Sequence, residues 1–211
     1  MVLKSVLWLG GSPCSGKSSA AEWLSARYGL ARYHCDKQYD RHVAQARPDI
    51  QPVMCRVGAL VDDALWMRPV SELLQDEKDV YREEFAMIAD DLRTGQGVEG
   101  EGEWVLAEGA ALLPDLVFNL CGTDARAVWM VPSAEFQLEH YGLREWAKEV
   151  VARCRDPEAA FEHWMQRDIG FAHWVALRAQ RLDYACLRVD GSTTLEENGC
   201  WVEKELSLIS A

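Results

Sequence analysis

The sequence has few basic residues for its length and no long apolar run. Of its 211 residues, 22 are Lys or Arg and 34 are Asp or Glu, which gives a formal net charge of −12. A broad nucleic-acid or anionic-membrane surface needs an excess of basic residues, and a membrane-spanning helix needs about 20 predominantly apolar residues. We therefore expect neither nucleic acid nor a membrane among the partners of this protein.

Paired cysteines are also absent. The seven cysteines are scattered along the chain, and no two of them form a C-x-x-C motif. Zinc sites and disulfide frameworks show regular cysteine spacing, so we expect reduced thiols and no zinc. A strand beginning at residue 2 leaves little room for a signal peptide. We expect a cytoplasmic protein.

Internal repeats and low-complexity tracts are absent too, which favours a single domain over residues 1–211. The sequence does not distinguish a monomer from a homodimer.

A glycine-rich motif near the start of the chain is its most specific feature. Residues 11–18 spell Gly-Ser-Pro-Cys-Ser-Gly-Lys-Ser, which matches G-x-x-x-x-G-K-S. The apolar segment 2–9 before it predicts a buried strand, and residues 18–28 after it predict a helix that ends at Gly29. In this context the backbone N–H groups are expected to hold phosphate oxygens, with Lys17 on the β- and γ-phosphates and Ser18 on Mg²⁺. The predicted nucleotide-binding residues are Gly11, Ser12, Pro13, Cys14, Ser15, Gly16, Lys17, Ser18 and Ser19.

Two carboxylates follow later predicted strands. Asp36 follows the strand at residues 31–35, and Glu108 follows the strand at residues 104–107. Because ligands bind outside the carboxyl ends of parallel strands, both side chains should face the opening that holds the phosphate loop. Glu108 is a candidate for the water shell of Mg²⁺, or else a surface residue. Asp36 is a candidate catalytic base, or else the N-cap of the next helix.

The rest of the chain predicts an α/β fold with a five-stranded parallel sheet. Further strands are expected at residues 127–131 and 187–189, and helices at 71–93 and 157–182. The glycine-rich stretch 95–102 is interpreted as a flexible connector. A capping box, formed by Thr193 with Glu196 or by Thr194 with Glu197, predicts a final helix.

A basic segment stands out in this acidic chain. Between residues 141 and 167 it contains Arg144, Lys148, Arg153, Arg155 and Arg167. We interpret residues 142–170, approximately, as a mobile lid, since clustered arginines repel one another until an anion binds. Arg153, Arg155 and Arg167 are the predicted phosphate contacts.

This layout resembles the P-loop small-molecule and nucleotide kinases, and most closely the shikimate kinase and chloramphenicol phosphotransferase-like group. The resemblance implies a three-layer α/β/α sandwich and ATP with Mg²⁺ as cofactors. It also implies that Asp36 takes the proton of an acceptor hydroxyl and that lid arginines neutralise the migrating phosphoryl group. The turn at Asp190 and Gly191 would then lie near the adenine.

The expected function is therefore transfer of the γ-phosphoryl group of ATP to a hydroxyl of a small molecule, bound by a helical region at about residues 37–94. The Asp-x-Asp pair of shikimate kinases is missing, because Cys35 and His34 precede Asp36. This departure leaves the acceptor open. One alternative is a nucleoside or nucleoside-monophosphate kinase. Another is a non-catalytic, regulatory nucleotide-binding protein.

Overall fold

The computed structural model describes residues 5–208, so residues 2–4 of the predicted first strand lie outside the described range. Within that range the strands are β1 (Val6–Gly11), β2 (Ala31–His34), β3 (Val98–Glu99), β4 (Val105–Glu108), β5 (Arg126–Pro132) and β6 (Ala185–Val189). They form one sheet in the order β3-β2-β4-β1-β5-β6. The α/β class predicted from the sequence is confirmed.

The prediction of five strands is wrong, because β3 adds a sixth at the edge of the sheet. It lies inside the glycine-rich stretch that the sequence presents as a connector, and it pairs antiparallel with β2. Positive φ angles at Gly97 and Gly100 turn the chain into and out of this strand. A two-residue strand is too short to show an alternating pattern, which explains why the sequence does not reveal it.

The other five strands run parallel, so their carboxyl ends meet at one edge of the sheet. In register, Leu9 of β1 lies opposite Glu108 of β4, and His34 of β2 also lies opposite Glu108. Gly11 at the end of β1 lies opposite Met130 of β5. The sheet itself therefore brings His34 and Glu108 together with the loop after β1, residues 12–16, which is predicted to bind phosphate and is called the phosphate loop below.

Ten α-helices are present in the described chain, and a 3₁₀ turn occurs at Gly122–Asp124. They are α1 (Lys17–Tyr28), α2 (Cys35–Gln45), α3 (Pro52–Gly58), α4 (Asp62–Trp66), α5 (Val70–Thr94), α6 (Pro114–Cys121), α7 (Ala134–Gly142), α8 (Glu145–Val151), α9 (Pro157–Arg181) and α10 (Leu195–Glu205). The helices predicted at 71–93 and 157–182 are confirmed as α5 and α9. None of the helices described for residues 5–208 is long and apolar enough to cross a membrane.

Helices cover both faces of the sheet. Along β1, Val6 and Trp8 pack against α5, α6 and α9, whereas Leu7 and Leu9 pack against α1 and α10. The helix that follows β1, α1, lies on one face of the sheet, and the helix that follows β4, α6, lies on the other face. The winding of the chain therefore reverses between β1 and β4. In open α/β sheets such a reversal opens a ligand crevice beyond the carboxyl ends of the strands.

A third apolar cluster lies beyond this edge of the sheet and joins α4, α7, α8 and the first half of α9. At its centre Trp66 stacks on Trp164, with ring centroids 5.0 Å apart. Cys14 of the phosphate loop packs against the same cluster. The predicted lid segment is therefore in contact with the loop.

Candidate functional site

Residues 12–16 form a tight loop that connects β1 to α1. Gly11, just before it, has a φ of 142°, and a Cβ there would lie 1.9 Å from the Met130 carbonyl oxygen, so only glycine fits. The Ser12 N–H donates a hydrogen bond of 3.0 Å to the same carbonyl. Ser15 Oγ donates to the Ser12 carbonyl at 2.9 Å. These contacts fix the loop against β5.

The loop presents a row of free backbone donors. Gly16 is in the left-handed region (φ 79°), and α1 begins without a side-chain cap. Within the described chain, none of the N–H groups of residues 14–19 donates a hydrogen bond. Unpaired N–H groups at the start of a helix are a site for phosphate or another anion.

Lys17 adds a buried positive charge to these donors. The residue is only 5% exposed, and no carboxylate among residues 5–208 lies within 4 Å of its ammonium group. Glu108 is near enough for the two charges to act on each other. Because a buried charge without a partner is costly, the position of Lys17 favours binding of an anion.

Ser18 and Glu108, the predicted Mg²⁺ residues, are brought together. Ser18 Oγ donates to Glu108 Oε2 at 3.2 Å, and His34 Nδ1 donates to Glu108 Oε1 at 2.7 Å. Burial opposes ionisation of Glu108, but the hydrogen bond from His34 and the Lys17 charge outweigh it, so the pKa of this carboxyl lies below its ordinary value. Glu108 is therefore ionised at neutral pH.

These groups are compatible with Mg²⁺. No group of three or more His, Cys, Asp or Glu side chains in the described chain could hold a metal by itself. Mg²⁺ in nucleotide sites is usually held by one or two side chains together with phosphate oxygens and water. Ser18 and Glu108 supply oxygen ligands of that kind.

His34 is a member of this site that the sequence analysis did not select. Its partnership with Glu108 follows from their register in adjacent parallel strands. The sequence shows a polar residue at the end of each of these two predicted strands. It does not show that the two strands are neighbours in the sheet, so it does not predict this contact.

Asp36 lies in the first turn of α2, where its side chain is exposed. The N-cap of α2 is His34, and no hydrogen bond or ion pair to Asp36 occurs within residues 5–208. The alternative prediction, that Asp36 is the N-cap of this helix, is therefore wrong. Instead, Asp36 and Pro13 line the same cavity, which has a volume of about 300 Å³.

Most residues that line this cavity lie between about 37 and 94, the region predicted from the sequence to bind the acceptor. One face of α5 contributes more lining residues than any other element, and α2, α3 and α4 contribute others. Its lining is Pro13, Asp36, Tyr39, Val57, Leu65, Arg68, Leu73, Asp76, Glu77, Val80, Tyr81, Glu84, Ala110 and Arg167. The cavity thus connects the phosphate loop with α5.

Arg167 reaches the cavity from α9, but carboxylates already hold it. Its Nη2 lies 2.6 Å from Asp168 Oδ1, and its Nε lies 3.3 Å from Glu77 Oε2. Its guanidinium also lies over the Trp66 ring, at 5.1 Å. Burial raises the pKa of Glu77 to about 7, although the Arg167 charge acts in the opposite direction. This network joins α5 to α9.

The other predicted phosphate contacts, Arg153 and Arg155, lie on the surface and pair with α4. Arg153 Nε is 3.2 Å from Asp62 Oδ1, and Arg155 Nε is 3.4 Å from Asp63 Oδ2. Both arginine side chains are about three-quarters exposed. That they contact phosphate stays a prediction, and such contact would require these ion pairs to open.

Arg144 is the lid arginine that carries no carboxylate partner in the described chain. Its guanidinium lies 4.8 Å from the Tyr141 ring centroid and 5.7 Å from that of Trp146. Burial raises the pKa of Cys14, and the Arg144 charge partly counters this effect, which places Arg144 close to the phosphate loop. The basic segment was predicted from the sequence with Arg153, Arg155 and Arg167 as its phosphate contacts and without Arg144. The ion pairs that distinguish these arginines from Arg144 join segments distant in the sequence.

Asp190 and Gly191 form a turn after β6, at the same edge of the sheet. Asp190 Oδ1 accepts hydrogen bonds from the N–H and the Oγ of Ser192, at 3.0 and 2.6 Å. Gly191 has a φ of 86°, and a Cβ there would lie 3.3 Å from the Phe136 ring. Contact of this turn with an adenine stays a prediction.

Comparison with known proteins gives little guidance on activity. No protein-family model and no curated protein matches the chain. Among 36 similar chains of solved structure is a protein from Chloroflexus aurantiacus described as a putative kinase. It is 14% identical, with a TM-score of 0.43, over 95% of this chain and 97% of the other. At this identity and TM-score the likeness does not indicate a reaction.

Proposed function

We propose that this protein is an ATP-dependent phosphotransferase of the P-loop type, with a three-layer α/β/α sandwich, that phosphorylates a hydroxyl of a small molecule. One observation carries the proposal. The loop after β1 combines unpaired N–H groups with the buried Lys17 and the Ser18–Glu108 pair. Pro13 of the same loop lines a cavity that the unpaired carboxylate of Asp36 also lines.

The loop is the proposed site for the triphosphate. Its N–H groups would hold the phosphate oxygens, and Lys17 would balance the charge on the β- and γ-phosphates. Ser18 and Glu108 would hold Mg²⁺, which supplies charge neutralisation during phosphoryl transfer. His34 fixes the orientation of Glu108 through its hydrogen bond at 2.7 Å.

Asp36 is the proposed catalytic base. The acceptor oxygen attacks the γ-phosphorus, its bond to phosphorus forms as the bond to the β,γ-bridging oxygen breaks, and ADP leaves. The proton of the hydroxyl passes to the Asp36 carboxylate, which no other group in the described chain holds. The helices around the cavity position the acceptor next to this carboxylate.

The basic segment is the proposed lid. Arg144 is the best-placed cation in it, because it lacks a carboxylate partner among residues 5–208 and lies beside the phosphate loop. Arg167 acts from the cavity wall. Arg153 and Arg155 would join only after leaving Asp62 and Asp63.

A screen for ADP release tests the proposal. Purified protein with Mg²⁺ and ATP is assayed against a metabolite library, with Lys17→Ala as the inactive control. We expect ADP release that depends on a hydroxyl-bearing metabolite and is lost in the variant. A strict requirement for nucleosides or their monophosphates would favour that narrower kinase class. Slow ATP turnover that no metabolite changes would favour a regulatory nucleotide-binding protein and contradict the proposal.

A further inference from the structure

His42 is a fully buried histidine that no step of the proposed reaction uses. It lies on α2 and is 0% exposed. Its Nδ1 lies 2.9 Å from Oε1 of Glu84, and its Nε2 lies 3.0 Å from Oδ2 of Asp91. Both carboxyl groups belong to α5 and are themselves buried. The ring therefore joins α2 to α5 through contacts at both of its nitrogens.

The contact with Asp91 requires a proton on Nε2 of His42. Asp91 Oδ2 also accepts hydrogen bonds from Tyr33, at 2.6 Å, and from Arg41. Burial opposes ionisation of Asp91, but the hydrogen bonds outweigh it, so the pKa of this carboxyl lies below its ordinary value. An ionised carboxylate only accepts, so Nε2 must donate. Arg41 Nη2 lies 3.2 Å from Nε2, but its two N–H bonds are already engaged by Gln38 and Asp91.

The contact with Glu84 requires a second proton. A neutral imidazole carries a single proton, and Nε2 uses it. Without another proton, the lone pair of Nδ1 would face an ionised carboxylate at 2.9 Å. A proton must therefore lie between Nδ1 of His42 and Oε1 of Glu84, bonded to one of these two atoms. We call it the shared proton.

The surroundings of Glu84 determine how firmly the shared proton is held. Burial raises the pKa of this carboxyl, and the hydrogen bond from His42 acts in the opposite direction. Since the net pKa is raised, the folded state binds the proton more tightly than the unfolded state does. The stabilisation is therefore present at low pH and is lost as the pH rises through this pKa.

Other charged and titratable groups face the pair from three elements. They are Cys35, Asp36, Tyr39 and Arg41 of α2, Asp90 and Asp91 of α5, and Tyr33 of β2. The carboxylates among them favour retention of the shared proton. Arg41 opposes it, but its charge is balanced by the ion pair with Asp91.

The helix α2 has little apolar surface with which to hold its position. Of its 11 residues, only Cys35 and His42 are buried. Lys37 pairs with Glu99, but both side chains are about half exposed, and such surface pairs contribute little. The buried contacts of His42 with α5 therefore carry much of the attachment of α2.

We propose that His42 is a positioning residue: the proton that it shares with Glu84 docks α2 on α5 and so holds Asp36 at the cavity, and loss of this proton loosens α2. Asp36 lies in the first turn of α2, about 9 Å along the helix from His42. The docking concerns the fold alone, whereas the effect on Asp36 rests on the proposed function, in which this carboxylate is the base.

Hydrogen exchange at several pH values tests the docking without any ligand. Protection factors of the α2 amides are measured between about pH 5 and 9, the range in which histidine and a carboxyl of raised pKa titrate. The proteins are the wild type, Glu84→Gln and His42→Leu. The amide that Glu84→Gln introduces can donate to Nδ1 of a neutral ring, so it replaces the shared proton. His173→Gln, at an exposed position on α9, is the matched control.

We expect protection of α2 in the wild type and in the control to fall roughly 10- to 100-fold as the pH rises, the range set by loss of one buried hydrogen bond. Glu84→Gln should not show this fall, and His42→Leu should lower protection at every pH. Because Glu84 also lines the cavity, its variant is judged by the shape of the pH profile and not by its rate at one pH.

Turnover with the best acceptor should follow the exchange results. We expect kcat to fall at high pH in the wild type but not in Glu84→Gln, and to be low at every pH in His42→Leu. Affinity for a non-hydrolysable Mg·ATP analogue should stay unchanged in all of these proteins, because α2 carries none of the residues proposed to bind the nucleotide.

Contrary results separate the parts of the inference. Wild-type protection that does not depend on pH, or an equal fall in Glu84→Gln, would overturn the docking; if His42→Leu does not fold, these two proteins decide. Exchange as expected with a kcat that does not follow it would overturn the positioning of Asp36. If no acceptor supports ATP turnover, the proposed function fails and the role of Asp36 with it, while the exchange results still decide the docking.

Discussion

Asp36→Asn separates the two roles that the sequence leaves open for this residue. Asparagine keeps the shape of the side chain and caps helices about as well as aspartate, but it cannot take a proton from a hydroxyl. In the structure the Asp36 carboxylate is exposed, lines the cavity and accepts no hydrogen bond within residues 5–208. The substitution therefore removes the proposed base and little else.

The expected magnitudes differ strongly between stability and catalysis. Because no native contact is lost, the free energy of unfolding should change by no more than about 0.5 kcal/mol. Loss of a general base lowers turnover by roughly 10²- to 10⁴-fold. Affinity for Mg·ATP should hardly change, since Asp36 lines the cavity proposed for the acceptor and is not one of the residues proposed to bind the nucleotide.

The assay compares three quantities in one preparation: ADP release with the best acceptor from the screen, nucleotide affinity by calorimetry and the thermal midpoint. Asp40→Asn is the matched control, because Asp40 is exposed one turn later on α2 and does not line the cavity. Wild-type turnover in Asp36→Asn would refute the role of Asp36 as a base. An equal loss in the Asp40 variant would show that the effect is not specific to the cavity.

Three further outcomes are expected. Arg144→Gln should weaken both binding of the Mg·ATP analogue and turnover by roughly 10-fold or more, as expected for the loss of one charge-assisted hydrogen bond. Arg153→Gln should have little effect, because Arg153 already pairs with Asp62 on the surface. Burial raises the pKa of Glu77 to about 7 from an ordinary 4.5, so the contribution of this carboxyl to stability is complete below about pH 4.5 and is lost as the pH rises through 7. Glu77→Gln should then gain on the order of 2 kcal/mol relative to wild type between pH 5 and 8 in urea unfolding. Gly10→Ala should destabilise by about 1–3 kcal/mol, because its Cβ would lie 2.2 Å from Trp129 Nε1.

Each of these outcomes has a contrary result. Equal losses in the Arg144 and Arg153 variants would remove the distinction between a free and a paired lid arginine. A stability difference for Glu77→Gln that is constant with pH would show that Glu77 does not titrate in this window. An unchanged thermal midpoint in Gly10→Ala would contradict the close packing of β1 against β5.

The parts of the fold that depend on local pattern were predictable. The capping box is an example: of the two pairs that the sequence allows, Thr194 and Glu197 form it. The meeting of Ser18 with Glu108 was also predictable, because both residues follow buried parallel strands whose carboxyl ends share one edge.

Other features depend on contacts between distant segments, and no local pattern encodes them. The pairing of Arg153 with Asp62 joins residues 91 positions apart, and the charge of Arg153 alone does not indicate it. Residues 47–68 contain α3 and α4, and Pro48 and Pro52 obscure any helical pattern in the sequence of this stretch. α3 and α4 both line the cavity, and α4 also contributes Trp66 to the tryptophan-rich cluster. Tertiary packing therefore decides the structure of these two helices.

The most direct test is calorimetric titration of a non-hydrolysable Mg·ATP analogue into wild-type protein and Lys17→Ala. Lys204→Ala, at an exposed position on α10, is the matched control. We predict saturable one-to-one binding to the wild type and to the control, and affinity weaker by about 10- to 100-fold in Lys17→Ala, as expected for loss of a charged hydrogen-bond donor. Equal affinity in all three proteins, or no binding to a folded wild type, would contradict the assignment of residues 11–18 as the nucleotide site.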